Sequence, residues 1–141
     1  MIKHVIYRAV LSLSLACSTQ IFAETTTLMQ SLNPSVSVAG QMTTEKFRTL
    51  VDQGFKSVIV NRPDQEQGNH VSVAQLRQIA EKSQVSVIYQ PIISGKISKP
   101  DVVEFAKYYN ELPKPILMIC RSGSRSSLLF NEAKKLGLLN E

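Results

Sequence analysis

Residues 116–127 read ILMICRSGSRSS. Four apolar residues lead into a cysteine, and the next seven positions hold two arginines, one glycine and four serines. A short apolar run bounded by turn residues is the pattern of a strand buried on both faces. Pro113 and Pro115, just upstream, exclude a helix there. Downstream, Ser126 or Ser127 to Lys135 carries Leu128, Leu129 and Ala133 at helical spacing, and Gly137 is a stop. Cys120 therefore falls where a buried strand gives way to a helix.

The same alternation recurs upstream. Val36-Ser37-Val38 predicts a short strand, followed by a helix capped at Thr43 or Thr44 with Phe47, Leu50 and Val51 on one face and Gly54 at its end. Phe55 to Asn61 contains the β-branched run Val58-Ile59-Val60, a second buried strand. Arg62 to Asn69 is a loop. Ser72 caps a helix whose stripe is Val73, Leu76, Ile79 and Ala80. Val85 to Ile93 predicts a further buried strand that bends or ends at Pro91. Ser98 and Asp101 are spaced as a capping box, with Pro100 in the first turn of a helix carrying Val102, Phe105, Ala106 and Tyr109. Strands alternating with helices imply one α/β domain, with a mainly parallel sheet flanked by helices on both faces. Ligands of such sheets sit at the carboxyl ends of strands, where Cys120 falls.

The N-terminus bounds the rest. Lys3 and Arg8, an apolar stretch from Ala9 to Cys17, and Ile21-Phe22-Ala23 form a secretory signal pattern. It predicts a signal over 1–23, a polar arm over 24–35 and the domain over 36–141, with a lipoprotein-type cut before Cys17 as the variant. Cleavage after Ala23 leaves an exported chain of 118 residues with no stable membrane anchor, and a bacterial periplasm is the simplest location. Losing Lys3 and Arg8 lowers the formal net charge from +5 to +3. That mild charge, without a basic stripe interleaved with aromatics, argues against nucleic acid as a partner. Cys120 then becomes the one remaining cysteine, so no internal disulfide forms and its thiol calls for another explanation. His70 would be the one histidine, no Cys/His spacing suits a metal, and no cofactor is called for.

Cys120 to Arg125 reads CRSGSR. If this segment arcs between strand and helix, successive backbone N–H groups converge on one small space and cradle an anion. Gly123 permits the bend. The dipole of the following helix and the planar fork of Arg125 favour negative charge. Such surroundings favour a thiolate over a thiol. Arg121, Ser122, Gly123 and Ser124 are the candidate binding positions, and Arg62, at a strand end, lines the rim or pairs with Asp64 or Glu66.

These residues resemble a known group. The segment Val38 to Ser127 is similar to the phosphatase-like domain of beta-lactamase hydrolase-like proteins, through VAGQMTTEKF, GFKSVIVNRPDQEQ, YQPIISGKIS and ICRSGSRSSLLF. The resemblance implies a cysteine phosphatase-like fold and a hydrolase of phosphate esters, small-molecule or protein. It implies Cys120 as nucleophile, forming a cysteinyl-phosphate, Arg125 as clamp for the equatorial oxygens, and Ser126 as the group that helps the thiolate leave. Four residues separate Cys120 from Arg125, where the broader class usually has five, Ile119 replaces the usual histidine, and the loop after Gln90-Pro91 has no carboxylate. Asp64, in the RPDQEQ loop, is the candidate general acid, ahead of Asp101. The loop also resembles that of rhodanese-type sulfurtransferases, which implies a Cys120 persulfide and a sulfur donor such as thiosulfate. A non-catalytic oxyanion-binding module is the third reading.

Overall fold

In the computed structural model, which describes residues 27–141, the central strand is the one that the opening sequence identified. The predicted signal and the first residues of the predicted arm lie outside the described residues. The strands are β1 (Gln30–Asn33), β2 (Val36–Ala39), β3 (Ser57–Val60), β4 (Ser86–Tyr89) and β5 (Ile116–Ile119). The helices are α1 (Thr44–Val51), α2 (Val73–Glu81), α3 (Lys99–Glu111) and α4 (Ser124–Lys135). The sheet order is β1-β2-β5-β3-β4, with β1 antiparallel to β2 and every other pair parallel.

The alternation of side chains along β5 divides the core. Ile116 and Met118 pack with Val36, Val38 and Ile59 against Phe105 and Tyr109 of α3 and Leu129 and Phe130 of α4. Leu117 and Ile119 point the other way, with Val58 and Val60, onto Phe47 and Leu50 of α1 and Leu76 and Ala80 of α2. All four β5 residues are buried because both faces are covered. Each such Leu, Ile or Met contributes roughly 1.5–3 kcal/mol through burial, so this strand is where the layers are tied together.

The predicted helices form with the predicted caps. Thr43 accepts from the Lys46 amide, and Ser72 with Gln75 and Ser98 with Asp101 make complete capping boxes. Three boundaries differ. The predicted arm contributes β1, because Asn33 Oδ1 accepts the amides of Ser35 and Val36, both at 2.8 Å, and turns the chain back onto β2. The predicted buried strand at 85–93 is the shorter β4, a half-exposed sheet edge that stops before Pro91. Helix α4 begins at Ser124, two residues before the predicted start. No helix among the described residues is long and apolar enough to cross a membrane.

Candidate active site

The parallel register continues one residue past the strands. Gly40, Cys120, Asn61 and Gln90 directly follow β2, β5, β3 and β4. The amides of Cys120, Asn61 and Gln90 donate to Ala39, Ile119 and Val60 at 3.2, 2.7 and 3.0 Å. Four strand ends thus form a row at the carboxyl edge of the sheet, with Cys120 inside it.

Cys120 is 1% exposed yet belongs to neither apolar cluster. Its Sγ accepts the Gly123 amide at 2.9 Å. That hydrogen bond closes the turn from β5 into α4, and it requires Gly123 at φ +88°, ψ −19°. This left-handed conformation is open to glycine at little cost. Gly123 is also the N-cap of α4 and supplies no side-chain oxygen; the Ser124 amide donates to Ser122 Oγ at 3.4 Å, and the next amides are left for another acceptor. Gly40 lies against the outside of the turn: a Cβ there would stand 3.0 Å from Arg121 O and 3.2 Å from Ser122 Cα.

Arg125 lies in the first turn of α4 and is 8% exposed. Its Nη1 donates to Ile92 O at 2.7 Å and lies 2.9 Å from Glu66 Oε2, while Nη2 donates to Glu66 Oε1 at 3.2 Å. Its Nε is buried with no partner. Glu66 Oε1 also accepts from Arg62 Nε at 3.0 Å. The hydrogen bond from Arg125, assisted by the charges of both arginines and opposed by burial, holds the Glu66 carboxyl below the usual carboxylate range.

The structure brings the other predicted residues together unevenly. Arg121, Ser122 and Ser124 are exposed on the turn, with Ser122 Oγ donating to Ser124 Oγ at 3.0 Å. Ser126 is fully buried, and its hydroxyl donates to Asn61 Oδ1 at 2.8 Å, while Asn61 Nδ2 donates to Gln90 O at 3.1 Å. Arg62 is 3% exposed, and its donors go to Glu66, Gln41 and Gln67 O. It takes the ion-pair alternative and braces Glu66. Asp64 Oδ1 accepts the Val73 amide at 2.8 Å, and the Asp64 amide donates to Tyr89 Oη at 2.9 Å. In this arrangement Asp64 ties the loop after β3 to the start of α2. Asp101 accepts from the Ser98 amide and hydroxyl. His70 is exposed, and no group of three or more His, Cys, Asp or Glu among the described residues could hold a metal ion.

Glu66, Asn61 and Gly40 complete the site, yet sequence reasoning assigned none of them a role at the cysteine. The link from Glu66 to Arg125 spans 59 positions. The available signal was the charge order Arg62, Asp64, Glu66 in a loop directly after a strand. Two concavities flank the turn: one of about 440 Å³ includes Ser122, Gly123, Ser124 and Asn131, and one of about 230 Å³ includes Gly40, Lys46 and Ser122.

A five-stranded, mostly parallel α/β domain with a cysteine and an arginine on the turn after its central strand is a cysteine-phosphatase-fold domain. Residues 28–136 match the model of the beta-lactamase hydrolase-like protein, phosphatase-like domain, and the chain belongs to that family. Beta-lactamase hydrolase-like proteins of Xylella fastidiosa and Agrobacterium fabrum are 25% and 28% identical over 99 residues, which is 70% of this chain and 23% of theirs. The chain thus aligns with under a quarter of the length of those relatives. A candidate phosphatase from Neisseria meningitidis superposes with a TM-score of 0.71 at 29% identity, over 77% of each chain. The core catalytic domain of the PP-IP phosphatase SIW14 from S. cerevisiae, solved with citrate, shares the fold at a TM-score of 0.62 and 15% identity, over 79% of this chain and 68% of its own.

Proposed function

We propose that this domain is a cysteine-dependent phosphatase. The Gly123 amide at 2.9 Å from Cys120 Sγ carries the reading, because it places the sulfur beside the N-terminus of a 12-residue helix. A thiolate there gains a hydrogen bond and the favourable end of the helix dipole. Cys120 Sγ attacks phosphorus, and water hydrolyses the resulting cysteinyl-phosphate. Arg125 is oriented by Glu66 and Ile92 O, which take three of its five N–H groups, and its unpartnered Nε is one of the two donors left for a phosphoryl oxygen. Family membership and the phosphatase neighbours support a phosphorylated substrate.

One specific observation supports sulfur transfer as the second reading. Four residues between Cys120 and Arg125, with α4 starting at Ser124, leave a short turn suited to a terminal persulfide sulfur. One set of measurements separates the two. Wild type should turn over p-nitrophenyl phosphate, and Cys120→Ser should lose more than about 10³-fold. Turnover that survives the substitution rejects the phosphatase. If thiosulfate adds one sulfur to the intact mass, removable by cyanide, and no phosphate is released, the second reading replaces the first.

A further inference from the structure

Displacement at phosphorus leaves an oxygen carrying the electron pair of the broken bond. An alkoxide leaves with difficulty unless an acid protonates it, and such an acid contributes about 10²–10⁴-fold. Each acidic side chain in the connections at the carboxyl edge of the sheet already has a partner. Asp64 accepts the first amide of α2. Glu66 is held ionised between Arg125 and Arg62. The connection from β4 to α3 contains no Asp, Glu or His before Ser98, and Asp101 closes the capping box beyond it. In the first turn of α1, exposed Glu45 is held below the usual range chiefly by its own backbone amide. His70 is exposed in the loop before α2.

A cation, by contrast, stands beside the turn. Lys46 is half-buried, its Nζ donates to Gln41 O at 3.1 Å, and it lines the 230 Å³ concavity with Gly40 and Ser122. Arg121 is exposed on the same turn. These charges suit a leaving group that departs as an anion.

Building on the phosphatase reading, we infer that the preferred substrates are phosphoanhydrides, whose leaving group is itself a phosphate, with Lys46 holding that group. Cys120 Sγ attacks the terminal phosphorus. The S–P bond forms as the bridging P–O bond breaks, and the electron pair leaves on the departing phosphate, which needs no proton from the enzyme. Water then attacks the cysteinyl-phosphate, the S–P bond breaks, the thiolate is restored, and the proton of water goes to the released phosphate.

The test compares kcat/KM for inorganic tripolyphosphate, p-nitrophenyl phosphate and glycerol phosphate in the wild type and in Lys46→Gln. Tripolyphosphate should exceed glycerol phosphate by on the order of 10³-fold, the contribution of the missing acid. Lys46→Gln should lower tripolyphosphate turnover about tenfold or more and p-nitrophenyl phosphate turnover by a clearly smaller factor, since one charge-assisted hydrogen bond is worth about that order. Glycerol phosphate turned over within tenfold of tripolyphosphate would overturn the inference while leaving the phosphatase reading intact. So would equal losses on tripolyphosphate and p-nitrophenyl phosphate in Lys46→Gln. Failure of Cys120-dependent p-nitrophenyl phosphate turnover would remove the phosphatase reading and this inference with it.

Discussion

Glu66 shares its carboxylate between two buried guanidinium groups, and its side chain is 21% exposed. A buried arginine whose partner is removed keeps its desolvation penalty and loses the compensation. Glu66→Gln retains the shape but halves the acceptor capacity and removes the charge. We expect it to lower stability at pH 7 by about 1.5–3 kcal/mol, the range for hydrogen bonds to charged groups. The pH dependence identifies the cause. Glu66 has a lower pKa folded than unfolded, so its contribution is fully present above the unfolded value of about 4.3 and is lost as pH falls through the folded value. Urea midpoints of wild type and Glu66→Gln should therefore differ at pH 7 and converge in strong acid. A gap that stays constant across that range would show that packing, not charge, is what Glu66 supplies.

At the scale of elements, the loop between β5 and α4 is shaped by two glycines in different ways. Gly123 needs its left-handed backbone, whereas Gly40 needs its missing side chain. Gly40→Ala would press a methyl group onto the backbone at Arg121 and Ser122, 3.0 and 3.2 Å away. Because that backbone leads into the Gly123 amide, we expect kcat/KM for p-nitrophenyl phosphate to fall more than about tenfold, with a stability loss of about 1–3 kcal/mol. Gly54→Ala is the control: it has φ +97° with no atom within 4 Å of a Cβ, so it should lose stability and keep turnover. Equal turnover in the two variants would mean that the turn does not rest on Gly40. The elements themselves were largely legible, because capping residues and apolar periodicity act locally: Thr43, Ser72 and Ser98 cap the helices they were predicted to cap. The start of α4 was less so. The predicted start was Ser126 or Ser127, but the N-cap is Gly123, and Ser127 Oγ donates back to Gly123 O at 2.9 Å. Strand β1 was missed because QSLN is polar and gains its pairing from the Asn33 turn, not from a buried face of its own.

Across the whole molecule, the strand order was the part that local sequence could not supply. After β4 the chain recrosses the sheet, places α3 and α4 on the opposite face from α1 and α2, and inserts β5 between β2 and β3. The handedness of parallel crossovers favours such a reversal, and it opens a crevice at the carboxyl ends of the strands. The cysteine and arginine were legible from their spacing; their supports come from other connections. Glu66 lies after β3 and Ile92 after β4, and both hold Arg125 at the start of α4. An oxyanion taken by the turn and by Arg125 should therefore stiffen all three connections, since Arg125 cannot be fixed without fixing what holds it. We expect saturating vanadate to slow amide hydrogen exchange over 61–69, 90–93 and 120–126, and to leave the exposed face of α3 unchanged. At about 100 times its Kd the ligand should stabilise the wild type by about 2.7 kcal/mol, read as a rise in Tm. Arg125→Lys should lose most of both effects, because an ammonium cannot reach Glu66, Ile92 O and the ligand with one planar fork. Protection confined to 120–126 would show instead that the turn binds alone and that the β3 and β4 connections act only in folding.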